Sequence, residues 1–240
     1  MIRLENVVKR FGETVAVGGL TLEVPAGELF VFLGPNGAGK TTTIKMIAGL
    51  LRPTEGRISI CGHDVQKDYL QAKSLLSYVP DQPFLYDKLT GREFLQFVGA
   101  MYGMAQPAVE EKVAWLSETF ELEGFLDELG QTYSHGMKQR VVMSAALLHD
   151  PRVLVIDEPT VGLDPKGANT LKGILRRLAR EGAAVFMSTH TLAVAEETAD
   201  RVGIIREGNL IALGTLDEIY AMAKTDRRLE QAFLRLTEEF

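Results

Sequence analysis

Eight residues, Gly34-Pro-Asn-Gly-Ala-Gly-Lys-Thr41, constrain this chain more than any others. They follow Glu28-Leu-Phe-Val-Phe-Leu33, a nearly continuous apolar run that reads as a central strand covered on both faces. They precede Thr41 to Leu50, which reads as a helix stopped near Pro53. Strand, glycine-rich turn and helix is the context that a phosphate-binding P-loop requires. Glycines let the backbone curl so that several N–H groups converge on one anion. A helix opening at Lys40 adds free N–H groups and the positive end of its dipole. Lys40 is expected to reach the β- and γ-phosphates of a nucleotide such as ATP, and the Thr41 hydroxyl to ligate Mg²⁺. Gly34, Pro35, Asn36, Gly37, Ala38, Gly39 and Thr42 complete the expected cradle. The pattern specifies a nucleotide phosphate, not what is done with it.

The carboxylate pair Asp157-Glu158 bears on that second question. It ends the apolar run Arg152-Val-Leu-Val-Ile-Asp157, another buried strand. Successive strand residues point to opposite sides, so the two acids can take separate tasks. Asp157 suits the metal, and Glu158 suits a water attacking the terminal phosphate. A parallel α/β sheet brings such a distant strand end to the same edge as the P-loop.

The remaining pattern is alternation of strands and helices. Ile2 to Val8 and Thr21 to Val24 read as strands, and a short strand-like run ends at Cys61. From Thr90 to His149 helical periodicity dominates: Phe94, Phe97, Val98 and Met101, then Val109, Val113 and Leu116, lie three or four apart. Trp115 in this stretch is expected in the core, as is Cys61. Strand–helix alternation resumes with a helix over Gly167 to Arg180, a strand over Ala183 to Met187 and a helix over Leu192 to Ala199. Val202 to Ile205 and Asn209 to Leu213 form a hairpin around Glu207-Gly208, and Leu216 to Phe240 is an amphipathic, mostly helical tail.

Composition weighs against several classes, although it leaves room for a local basic patch. With 26 basic and 32 acidic residues the formal charge is -6, against the basic face that nucleic acid binding requires. The single cysteine forbids an internal disulfide. No signal-peptide pattern opens the chain, and the longest apolar runs fall short of the roughly 18 residues of a spanning helix. Any membrane role therefore calls for a second chain.

Together with further segments these motifs resemble the ABC ATPase family over nearly the whole chain. Tyr133-Ser-His-Gly-Met-Lys-Gln-Arg140 is similar to the family signature Leu-Ser-Gly-Gly-Gln, with Tyr133, His135 and Met137 departing from it. The resemblance implies that Ser134 and Gly136 touch the γ-phosphate of ATP held by an opposite subunit; Ser134 equally reads as an ordinary N-cap of a helix from Met137 to Leu148. Gly162-Leu-Asp-Pro165 resembles the family D-loop, so Asp164 carries an intersubunit role or simply caps a helix. His190, after Ser188-Thr189, matches the switch histidine. Phe11 matches the aromatic that stacks on adenine, and otherwise reads as core. In Tyr78-Val-Pro-Asp81-Gln82 the family's Q-loop glutamine falls at Asp81 with Gln82 next to it, so either one is the metal contact. Phe84 to Leu89 is either the groove that receives a membrane subunit's helix or local packing.

The resemblance implies an α/β fold with a mixed sheet core, an N-terminal antiparallel β part and an inserted helical subdomain. One cassette would span 1–240, with 1–83 and 150–214 as catalytic core, 84–149 as helical subdomain and 215–240 as tail. It implies an ATP-hydrolysing, Mg²⁺-dependent motor that dimerises, as homodimer or heterodimer, on the cytoplasmic face of the membrane and drives a separate permease of export type. Catalysis would rest on Lys40, Glu158 and His190, and the metal on Thr41, Asp157 and Gln82 or Asp81. The competing expectation is a soluble ABC-type ATPase acting on nucleic acid, the ribosome or protein assembly.

Overall fold

A computed structural model describes residues 1–225 and 228–238. The chain opens with β1 (Ile2–Phe11) and β2 (Thr14–Val24), an antiparallel hairpin. Next come β3 (Leu29–Leu33), α1 (Lys40–Ile47), β4 (Glu55–Ile60), β5 (His63–Asp64), α2 (Tyr69–Ser74) and β6 (Leu76–Val79). Helices α3 (Gly91–Met101), α4 (Gln106–Phe120) and α5 (His135–Leu147) form the middle stretch. Then β7 (Val153–Asp157), α6 (Pro165–Arg180), β8 (Ala184–Thr189) and α7 (Leu192–Thr198) alternate. The hairpin β9 (Arg201–Arg206) and β10 (Asn209–Gly214) follows, then α8 (Leu216–Ala223) and α9 (Leu229–Glu238).

Two sheets result. One is antiparallel, in the order β2-β1-β4-β5; the other is mixed, in the order β10-β9-β3-β8-β7-β6. Strands β6, β7, β8, β3 and β9 run parallel, and only β10 joins antiparallel. The apolar runs of β3, β7 and β8 explain their central place, since every one of their residues is buried. Side-chain alternation divides them between two cores. Leu29, Val31, Leu33, Leu154, Ile156, Val185 and Met187 meet residues of α3–α6 on one face. Phe30, Phe32, Val153, Val155 and Phe186 meet α1 and the antiparallel sheet on the other. There the Phe186 ring lies 5.3 Å from Phe30 and 5.5 Å from Phe32, tilted in both pairs.

Several expectations shift. The strand expected at Thr21 to Val24 is the end of an eleven-residue β2. β6 was not anticipated, because four residues before a proline carry little pattern. The helix expected from Met137 begins at His135, because the Ser134 hydroxyl caps it by accepting from the Met137 amide at 3.3 Å. Trp115 is not core: it is 36% exposed on the outer side of α4, while Val109, Val113, Leu116 and Phe120 point inward. Its ring instead lies between cations, 5.1 Å from Lys112 Nζ and 5.7 Å from the Arg177 guanidinium. Cys61 is half-buried beside Met1 rather than enclosed. The tail is two helices, and of the expected 215–240 segment 226–227 and 239–240 lie outside the described residues. Among the described residues no helix is long and apolar enough to cross a membrane.

Candidate nucleotide site

The carboxyl ends of β3, β7 and β8 deliver Gly34, Asp157 and Thr189 to one edge of the mixed sheet. A cleft of about 510 Å³ opens there, lined by Asn36, Gly37, Gly39, Lys40, Thr41 and Thr42 from the glycine-rich turn and α1. Asp81, Gln82, His135, Asp157, Glu158 and His190 line its other sides.

The turn has the backbone that phosphate binding demands. Gly39 stands at the N-cap of α1 with φ 105° and no side-chain cap, which leaves the first amides of the helix unclaimed by a side chain. A Cβ at Gly39 would lie 2.5 Å from the Ala16 carbonyl oxygen, so no other residue fits. Lys40, buried at 6% exposure, folds over the turn and donates to the carbonyls of Gly34 at 2.6 Å and Pro35 at 3.0 Å. Burial pushes its pKa below the usual lysine value, opposed by the charges of Glu158 and Asp157.

The carboxylates separate as their positions require. Asp157 Oδ2 accepts from the Thr41 hydroxyl at 2.8 Å, and its Oδ1 accepts from the Ser188 hydroxyl. Glu158 Oε2 accepts from the Thr189 hydroxyl at 3.0 Å, and Oε1 lies 2.8 Å from His190 Nδ1. With the carboxylate ionised that ring nitrogen is the donor, and Nε2 is an acceptor on a neutral ring or a second donor on a doubly protonated one. Glu158 adopts φ 48°, a left-handed backbone unusual for a residue with a side chain, and its amide donates to the Ser188 carbonyl at 3.1 Å. Among the described residues Asn6, Cys61, Glu121, Asp150, Glu207 and Lys224 share this backbone away from the cleft, so it does not by itself mark the site.

Ser188, Thr189 and Tyr78 belong to this constellation and were not singled out from the sequence. Tyr78 is pushed up to about 12 by burial and by the charges of Asp157 and Asp81. The two hydroxyl residues precede His190 directly, so the only available signal was their place at the end of an apolar run. Asp81 and Gln82 both reach the cleft, with Asp81 accepting from the Gln82 amide at 2.9 Å. Thr41 and Asp157 offer hard oxygen donors side by side, a fit for Mg²⁺, which takes one or two carboxylates together with substrate phosphates and several waters.

Other expected residues lie elsewhere. Phe11 ends β1 half exposed, with Lys9 Nζ 5.0 Å from its ring centroid, and it does not line the cleft. Ser134, Gly136 and Asp164 are also absent from the lining: Ser134 caps α5, and Asp164 caps α6 by accepting from the Gly167 amide at 2.8 Å. The departures in the signature have local reasons. The buried Tyr133 hydroxyl accepts from the Gly91 amide at 3.0 Å and lies 2.8 Å from the Phe125 carbonyl, tying α3 to the loop before α5. Met137 Sδ stands 3.5 Å from the Ser134 amide, closing the cap reciprocally.

Residues 17–161 match the ABC transporter family. Linearmycin resistance ATP-binding protein LnrL of Bacillus subtilis (strain 168) is 36% identical over 240 residues, covering 100% of this chain and 77% of LnrL. Nod factor export ATP-binding protein I of Burkholderia lata is 42% identical over 213 residues, 89% of this chain and 70% of that protein. The chain spans 42% of the probable multidrug ABC transporter ATP-binding protein YbhF of Escherichia coli (strain K12), at 35% identity. Among solved structures, an ATP-binding subunit of an ABC transporter superposes with TM-score 0.94 at 33% identity, covering 99% of both chains. The dimeric bacterial cassette MJ0796 superposes with TM-score 0.83 at 27% identity, covering 90% of this chain and 99% of that one. A P-loop beneath a carboxylate pair, on this fold and among these relatives, has one meaning: the chain belongs to the ABC transporter family, as one of its ATP-binding and ATP-hydrolysing subunits.

Proposed function

We propose that two copies of this cassette, or one copy and a paired cassette, clasp ATP between the P-loop of one and Ser134 and Gly136 of the other, and that the cycle drives an export-type permease. The observation that carries the reading is the Glu158 carboxylate, held by Thr189 and His190 beside the P-loop lysine. Glu158 takes a proton from the attacking water, and His190, when its ring carries a proton on both nitrogens, donates through Nδ1 to Glu158 and through Nε2 to the γ-phosphate. Lys40 exchanges the carbonyls of Gly34 and Pro35 for phosphate oxygens. Thr41 and Asp157 hold Mg²⁺, with Asp81 or Gln82 completing the set; bound Mg²⁺ neutralises charge on the phosphate oxygens. Phe11 stacks on the adenine, and Asp164 acts at the interface between copies.

Ser134 and Gly136 fall outside the cleft that Lys40 lines, which supports a site completed by a second copy. MJ0796 has been solved as a dimer, once in a post-hydrolysis state with ADP and Pi. The division into a core (1–83 and 150–214), a helical subdomain (84–149) and a tail (215–240) belongs to the same reading. Phe84, Tyr86 and Phe97 form an aromatic group, with Tyr86 5.5 Å from Phe84 and 5.7 Å from Phe97. Phe84 is 67% exposed and Tyr86 48%, an apolar patch of the kind that accepts a partner's helix. That patch supports a seat for the cassette on the cytoplasmic membrane face, against a permease. Relatives named for linearmycin resistance, Nod factor export and daunorubicin/doxorubicin resistance support export.

The test is Glu158→Gln with ATP and Mg²⁺. The variant is expected to bind ATP, lose roughly 10²–10⁴-fold in turnover, as removal of a general base does, and elute as a dimer. Turnover at the parent rate removes Glu158 as the base. Co-purification with a membrane protein separates the transport reading from a soluble ATPase acting on nucleic acid, ribosome or protein assembly.

A further inference from the structure

The loop from Pro159 to Asp164 follows the catalytic base directly and contains no strand or helix. Its internal bonds are few: the Val161 amide donates to the Glu158 carbonyl at 3.2 Å, and the Leu163 amide to the Thr160 carbonyl at 3.3 Å. Its far end is tied to α6 through Asp164, Leu163 packs against the core, and the start of α5 meets it at two further points one helical turn apart. Buried Gln139 donates through Nε2 to the Pro159 carbonyl at 3.4 Å. His135 lies flush on Gly162: a Cβ there would be 2.2 Å from His135 Cδ2 and 2.7 Å from Nε2. Gly162 also has φ 79°, so glycine is required twice over, by backbone and by the ring.

The family signature has glycine where this chain has His135, and a glycine offers no side chain to reach Gly162. We propose that His135 is a positioning residue for ATP hydrolysis: its imidazole, seated on Gly162, joins the signature segment and the 159–164 loop into one body that braces Glu158. The inference rests on the proposed roles of Glu158 and the signature segment. Two of the three ring atoms nearest Gly162 are carbons, so the contact acts by shape rather than by charge. The same ring lines the nucleotide cleft with Lys40, Glu158 and His190, so the brace stands at the reacting end of the site. A loop freed at Gly162 lets the carboxylate drift, and small misplacements of a catalytic group are expensive in rate.

The test measures steady-state ATP hydrolysis by His135→Gly, His135→Phe, Gly162→Ala and His135→Gly/Gly162→Ala. His135→Gly, which restores the family residue, is expected to lower kcat about tenfold while KM for ATP moves less than about twofold. His135→Phe, with a planar ring of similar size, restores most of that loss. Gly162→Ala is expected to damage the parent at least about threefold more than it damages His135→Gly, because the clash is gone and only backbone strain remains. Parent kcat in His135→Gly, a phenylalanine no better than glycine, or a strictly multiplicative cycle overturns the proposal. Should Gly162→Ala not fold, the glycine–phenylalanine pair decides alone. Lys40→Ala run beside them separates the two levels. If it abolishes turnover while His135→Gly does nothing, the brace alone is wrong. If Lys40→Ala turns over normally, the nucleotide reading itself falls.

Discussion

Helices α1 and α5 both begin at a short, glycine-bearing segment proposed to touch phosphate, yet their ends are built differently. α1 starts at Gly39 with no side-chain cap, and its first amides stay available to a ligand. α5 starts at Ser134 with a reciprocal cap made by Ser134 and Met137. An end that keeps its amides for an anion is a binding site within one chain. An end that satisfies itself is stable without a ligand, and it engages one by exchanging an existing bond. The contrast in capping supports the proposed division, with the nucleotide held from the α1 side and recognised from the α5 side.

Lys40→Ala is the sharpest way to break this comparison. It is expected to lose roughly 10²–10³-fold in kcat, the scale of a removed phosphate-stabilising donor, while leaving α5 untouched. Phosphate release assays measure it, and near-parent turnover would move the ligand away from α1.

The far end of α5 gives the next largest effect. His149 follows it, stacked on Tyr102 with centroids 3.6 Å apart, and both buried ring nitrogens lack a partner. Burial lowers its pKa to about 4, against an unfolded value near 6.5. Between those values the unfolded chain binds more protons, so stability rises with pH there and is lost on acidification from about pH 6.5 toward 4. The swing is at most about 3 kcal/mol. Urea unfolding of His149→Phe, which keeps the stack, should show a flatter dependence over that range; an unchanged slope assigns the pH effect elsewhere.

Tyr133→Phe leaves the buried Gly91 amide without its acceptor and should cost about 1–3 kcal/mol in urea unfolding. A negligible change would mean that another acceptor takes over. Ser134→Ala is the mildest and the most informative for the comparison. Losing the cap costs about 1 kcal/mol. If ATP-driven dimerisation falls as well, the start of α5 is both cap and contact; if dimerisation is intact, it is a cap alone.

The nucleotide end was legible because its chemistry is contiguous. Gly34 to Thr41 lie side by side in sequence and in space, and the apolar runs before Gly34 and Asp157 announce buried parallel strands. Thr41 and His190, which also hold the acids, were singled out, but the strand hydroxyls that hold them were not legible. Ser188 and Thr189 reach Asp157 and Glu158 across the β7–β8 pairing, 31 residues away, and nothing local marks a hydroxyl as a partner. Trp115 misled because its outward position on α4 follows from packing against neighbours rather than from its own type. Asp81 and Gln82, neighbours in sequence, both line the cleft, so the fold keeps together the two residues that the sequence offered for the metal.

The left-handed backbone at Glu158 carries a consequence for the history of such chains. A side chain held there stores about 1–2 kcal/mol that glycine or asparagine would release. Mutational drift toward a tougher protein therefore runs downhill at the residue proposed as the catalytic base. Selection for transport has to hold that position against the grain, and cassettes released from hydrolysis should lose their glutamate there early.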